Sequence, residues 1–215
     1  MTAQPARGFN HGDQTQMGAN NHPTVTPANH RLTERQVAER IGREYHETEY
    51  DGEVPAEVEE AAKLLKKMND YLYDAIFAYG VEVIFTSDDP YGSYEEMVAD
   101  IEANDRLFVF NGGTHPDHIS KVDNLKNRAV HDFWGHYKND VDFTFWGEFQ
   151  KWHHMKRWYP EPVHRLTLQE VVGQTGLCWY LEGGFSSPDF KQKSFLAPTE
   201  WADLCYRHFP GKLPL

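Results

Sequence analysis

Apolar residues recur with two different periods along this chain, and their order predicts the architecture. From Thr33 onward, Val37, Ile41 and Tyr45 return at helical spacing, and Thr33 with Gln36 forms a capping-box signature, so a first helix is expected to run to about His46. Beyond Pro55, Val58, Ala61, Leu65, Met68, Leu72, Ile76 and Tyr79 step by three or four, while Glu59, Lys63, Lys66 and Lys67 take the opposite face. This predicts a long amphipathic helix closed by Gly80. Residues 81–86 and 106–110 are rich in β-branched and aromatic side chains and stop at turn formers, so both read as strands. Between them Ser93 and Glu96 cap a short helix carrying Met97, Val98 and Ile101. Strand, helix, strand order suits two parallel strands joined by a crossover. The second half reads as helices near 123–138, 145–158, 167–181 and 199–208. The expected class is α+β and mostly helical, with a small two-stranded sheet in the N-terminal half and a helical C-terminal half carrying the chemistry.

Composition narrows what such a fold does. Of 215 residues, 33 are acidic and 21 basic, giving a formal charge of −12, which disfavours nucleic-acid binding through a basic surface. Eight of the acids lie between 44 and 60 with no Lys or Arg among them, a solvated turn and helix start. Residues 1–30, dominated by Gln, Asn, Pro, Gly, Thr and Ala, are expected to form a disordered tail, leaving 31–215 as one globular domain. No signal peptide is visible, and the longest apolar stretch, 171–181, is about half the ~20 residues that span a bilayer, so a cytoplasmic, membrane-free protein is expected. Cys178 and Cys205 exclude a disulfide scaffold, a CxxC redox pair and a multi-Cys zinc module. The excess is in histidine: 12 in all, seven of them between His115 and His164.

His131, Asp132, His136, Glu148, His153 and His154 fall within 24 residues. Imidazole and carboxylate are ligands that Zn, Fe(II) and Mn share, and two histidines with one carboxylate leave coordination positions open. His131 and His136 are five apart, about 140° around an ideal helix, so they converge on one ion only where the helix ends or distorts near Gly135. The HExxH spacing of zinc proteases is absent. Asp132, four before His136, suits a partner that orients it. Glu148, at the first turn of an aromatic helix, and Glu170, in a capping-box pattern with Thr167, each have a structural as well as a ligand reading. Gln174 lies one turn beyond Glu170, and Gly173 and Gly176 point to close approach of another backbone or a ligand. His115 and His118 sit among turn formers and read as solvated; at most one of His153 and His154 shares the face of Glu148.

The string Asp89-Pro90-Tyr91, Arg128-Ala129-Val130-His131-Asp132-x-x-Gly135-His136, Gly147-Glu148, Trp152, Glu170-x-x-Gly173-Gln174, Gln192-Lys193 and Pro198 resembles a family of uncharacterised proteins of tailed bacteriophages, above all those of actinobacteria, over roughly residues 35–200. That resemblance carries no activity, but it implies that His131, Asp132, His136, Glu148, Glu170, Gln174, Gln192 and Lys193 belong to one site, working in the infected host's cytoplasm. His131-Asp132-x-x-Gly135-His136 with a later glutamate is also similar to the non-haem iron site of aromatic amino acid hydroxylases, which implies a facial triad on Fe(II). Their flanking prolines are absent, since Tyr137-Lys138 follow His136, so pterin and aromatic amino acid substrates are not implied.

Three functions stay open. The first is a metal-dependent enzyme, oxygenase-like with Fe(II) though Zn and Mn also fit, in which His131, His136 and Glu170 hold a divalent ion. Glu148, Asp132, Gln174 and Lys193 then serve catalysis on a small-molecule or nucleotide substrate, with no organic cofactor. Which of Glu148 and Glu170 is the ligand remains undecided, as does the oligomeric state. The second is a phosphohydrolase resembling the HD superfamily, with His131-Asp132 as ligands, aided by His118 and Asp142, and Lys193 on a phosphate. The third is a non-catalytic phage accessory protein whose histidines and tryptophans form a partner interface.

Overall fold

Helices α1 (Glu34–Glu47) and α2 (Ala56–Ala78) begin where the apolar periodicity begins. The structure, a computed structural model, describes residues 31–213, so the tail expected over 1–30 lies outside the described residues. Thr33 caps α1 through both halves of the capping box: its hydroxyl accepts the Gln36 N–H, and the Gln36 side chain accepts the Thr33 N–H. Strand β1 (Glu82–Thr86) pairs in parallel with β2 (Arg106–Phe110), Glu82 against Arg106 and Thr86 against Phe110, with α3 (Tyr94–Asn104) as the crossover. The α+β, mostly helical class with its small N-terminal sheet is what the chain adopts.

The C-terminal half contains α4 (Lys121–Val130), α5 (Phe145–Met155), α6 (Glu161–Leu168), α7 (Gln174–Tyr180) and α8 (Thr199–His208). Two of the expected helices are interrupted by π-helical stretches, His131–His136 after α4 and Gln169–Gly173 between α6 and α7. The helix expected to start at Thr167 starts at Glu161, with Pro162 in its first turn. Thr167 therefore caps nothing, and its hydroxyl bonds back to the Val163 and His164 carbonyls. Glu170 loses its capping explanation with that correction.

Three apolar clusters fasten these elements. Tyr45, Phe145, Phe149, Leu177 and Trp201 join α1, α5, α7 and α8. Val58, Leu65, Val130 and Leu166 tie α2 to α4 and α6. Ile76, Met97, Leu107 and Phe133 seal the sheet against α2 and the first π stretch. Of the two glycines at 173 and 176, only the second marks a close backbone: a Cβ on Gly176 would sit 2.9 Å from the Ala38 carbonyl oxygen of α1, whereas one on Gly173 would sit 2.7 Å from the Trp201 side-chain ring. Among the described residues, no helix is long and apolar enough to cross a membrane.

Candidate metal centre

A π-helical turn carries more residues than an α-turn, its hydrogen bonds spanning five positions. Between His131 and His136 that widening reduces the angular offset an ideal helix imposes, and the two imidazole Nε2 atoms come to 2.9 Å from each other. Gly135, inside the stretch, has a second task. A Cβ there would lie 2.6 Å from Cγ of Lys151, so the missing side chain lets the lysine stem cross the π-turn. Gly147 plays the matching part in α5: a Cβ would lie 2.1 Å from the Asp142 carbonyl oxygen. The chain can therefore close tightly there, with Asp142 accepting from the Thr144 N–H and hydroxyl and Thr144 capping α5. Glu148 is thereby brought onto the two histidines.

Glu148 Oε1 is 3.4 Å from Nε2 of His131 and 3.4 Å from Nε2 of His136. These three residues form a group that can hold a metal ion. A triangle with sides of 2.9, 3.4 and 3.4 Å has a circumscribed radius of about 1.9 Å, so an ion at the usual ~2.0–2.2 Å from nitrogen and carboxylate ligands would rest just above its plane. Glu148 Oε2 is buried without a hydrogen-bond partner, a second sign that the carboxylate is incompletely satisfied by protein alone. His136 Nδ1 lies 2.9 Å from the Val141 carbonyl, which can only accept, so Nδ1 carries the proton and Nε2 a lone pair. Lys151 Nζ lies 2.6 Å from His131 Nδ1. An ammonium only donates, so it leaves the His131 proton on Nε2, aimed at His136. An ion taking both Nε2 atoms displaces that proton.

The surroundings act strongly on every charge. Burial works to raise the Glu148 carboxyl, but the imidazoles of His131 and His136 outweigh it and hold Glu148 well below the usual carboxylate range. Burial, with the Lys151 ammonium beside it, pushes His131 down to about 4. For His136 burial also acts downward, but Glu148 overcomes it and raises the group. Burial lowers Lys151 to about 8 against the pull of Glu148, and raises Asp132 to about 7.

Comparison with protein-family models, curated proteins and solved structures finds no match.

Of the residues singled out in the sequence, His131, His136 and Glu148 come together. Glu170, expected as the third ligand, is not in that group: it lies buried in the second π stretch with Oε1 3.3 Å from Nε2 of His118. Asp132, expected to orient His136, does not; the Val141 carbonyl does. Gln174 is half-buried at the start of α7, and Asp142 is exposed and spent on the turn before α5. His153 contacts the Tyr206 hydroxyl at 2.8 Å and, like His154, stays outside the triad. His118, read as a solvated loop residue, has a side chain with no exposure at all. The residue that sequence reasoning missed is Lys151. Its signal was a lysine three after Glu148 on the face of α5 otherwise filled by Phe145, Trp152 and Met155.

Lys193, expected to serve the site, instead donates to the Tyr45, His46 and Thr48 carbonyls at 3.0, 2.8 and 2.6 Å, closing the C-terminal end of α1. All three ammonium donors are thereby used. Lys193→Met is expected to cost about 1–2 kcal/mol of stability in urea unfolding, a discount for its partial exposure, while metal uptake by the chain stays unchanged. Lost uptake with unaltered stability would return Lys193 to the site.

Proposed function

We propose that this protein is a metal-dependent enzyme that holds one divalent ion on His131, His136 and Glu148, with Fe(II) and oxygenase-type chemistry as the leading reading. The observation that carries it is the single carboxylate oxygen equidistant from two imidazole nitrogens that themselves lie 2.9 Å apart. Two histidines and a carboxylate on one face leave the remaining positions of the ion open to substrate. When bound, such an ion supplies Lewis acidity and, if it is iron, one-electron chemistry. The chain's own part is to hold the ligands. Val141 fixes the His136 ring, Lys151 fixes His131, and the half-buried Asp132 carboxyl beside them is available to a substrate. The motif string supports an origin in a bacteriophage and a place of work in the host cytoplasm, which two free thiols, Cys178 and Cys205, suit.

The phosphohydrolase alternative needs Asp132 as a ligand in place of His136, and Asp132 is not among the three residues that converge. Ligand mapping separates the two readings. In full-length chain stripped with chelator and reloaded anaerobically with Fe(II), Mn(II) or Zn(II), a tight equivalent is expected that survives Asp132→Asn and is lost in His136→Ala. Saturation at 100 times the dissociation constant is expected to add about 2.7 kcal/mol of stability, seen as a raised Tm. A chain that takes up no metal, or takes it up equally well without His131 and His136, is no metalloenzyme of this kind, and a non-catalytic binding protein becomes the better account.

A further inference from the structure

His118 and Glu170 are buried together and unexplained by the triad. His118 reaches the interior from the loop after β2, which Arg128 pins by donating to the Phe110, Gly112 and Thr114 carbonyls. Its Nε2 faces Glu170 Oε1 at 3.3 Å; the two side chains are 0% and 8% exposed, and neither atom has a hydrogen-bond partner. On the far side of the ring, Nδ1 lies 2.9 Å from the Ser194 hydroxyl, and with the ring proton on Nδ1 the Nε2 keeps a lone pair toward the carboxylate oxygen. Two buried polar atoms this close with no hydrogen bond between them are rare in native folds.

We propose that His118 Nε2 and Glu170 Oε1 bind a second divalent cation, of the borderline kind that accepts imidazole and carboxylate together, such as Zn(II), Mn(II) or Co(II). A separation of 3.3 Å is what two ligands about 100° apart give when each lies ~2.0–2.2 Å from one ion. The Ser194 hydroxyl on Nδ1 is the kind of outer support that metal-bound histidines commonly have. Glu170 also borders, with His131, Lys151, Asn127 and Thr167, a cavity of about 50 Å³. His131 of the triad and Glu170 thus share one cavity wall. Lys151 and Arg128 place positive charge near Glu170, which makes this position the weaker of the two. The inference stands beside the triad and does not require it.

The test is calorimetric titration of the chelator-stripped, full-length chain with Co(II). The wild-type chain is expected to bind one tight and one weaker equivalent. Glu148→Ala weakens the tight one and leaves the other; Glu170→Gln, which keeps shape and burial, removes the weaker one by lowering its affinity more than about 100-fold, beyond the effect of losing an outer partner. A single equivalent in the wild-type chain, or a second equivalent indifferent to Glu170→Gln, overturns the second position. A tight equivalent unchanged by Glu148→Ala overturns the triad and leaves the second position standing. Long-range proton–nitrogen NMR of the wild-type chain needs no variant: His118 Nε2 should lack an attached proton, and its signal should shift, once the second equivalent of Zn(II) is added. A proton that stays on Nε2 through two equivalents also overturns the proposal.

Discussion

Glu148→Ala is expected to weaken the tightly held ion by more than about 100-fold, beyond the 10–100-fold that loss of an outer partner costs. Glu148 is the only anion of the triad, and its Oε1 lies 3.4 Å from both Nε2 atoms. Its removal leaves two neutral imidazoles, one of which already spends its Nε2 proton on the other. Asp132 and Glu170 do not replace the lost charge: both lie outside the group, and burial raises both carboxyls to about 7. Glu148→Gln separates charge from shape. It keeps an oxygen ligand in place and should fall between wild type and alanine, with affinity measured by calorimetry and metal content by elemental analysis. If Glu148→Ala holds its ion as the parent does, the carboxylate ligand lies elsewhere and the triad assignment fails.

The parts of this site that depend on local pattern were legible in the sequence. The spacing of His131 and His136 stated its own condition, a helix distorted near Gly135, and the π stretch meets it. What the spacing left open was the kind of distortion, because a shift in hydrogen-bond register is decided by what packs on the helix, here the Lys151 stem over Gly135. The choice between Glu148 and Glu170 was also out of reach, since each had a local explanation. It depends on a loop closing at Gly147 against Asp142, and on α6 starting six residues earlier than the Thr167 pattern suggested. His118 was misread for the same reason. Turn formers signal a loop, but whether a loop residue points outward rests here on distant Arg128. Lys193 shows the reverse error: a lysine that the motif string placed in the site went to the carbonyl end of α1.

Gly42→Ala is expected to destabilise the fold by about 3 kcal/mol, the upper end for overpacking, although alanine favours an exposed helix over glycine by about 1 kcal/mol. The sign is therefore diagnostic. A Cβ at Gly42 would lie 2.1 Å from the Gly176 carbonyl oxygen and 2.4 Å from its carbon, and both are helix backbone, which cannot swing aside as a side chain can. Relief requires α1 and α7 to part, which opens the cluster of Tyr45, Leu177 and Trp201 between them. That cluster also carries Tyr45, whose hydroxyl accepts from Gln169 and from the Lys193 N–H, so the strain reaches the second π stretch that positions Glu170. The weaker metal equivalent should consequently suffer more than the tight one, whose ligands come from the first π stretch and α5. Urea unfolding of the metal-free chain measures the first effect and Co(II) titration the second. A Gly42→Ala chain as stable as the parent, or more so, would mean that α1 and α7 do not cross at these glycines.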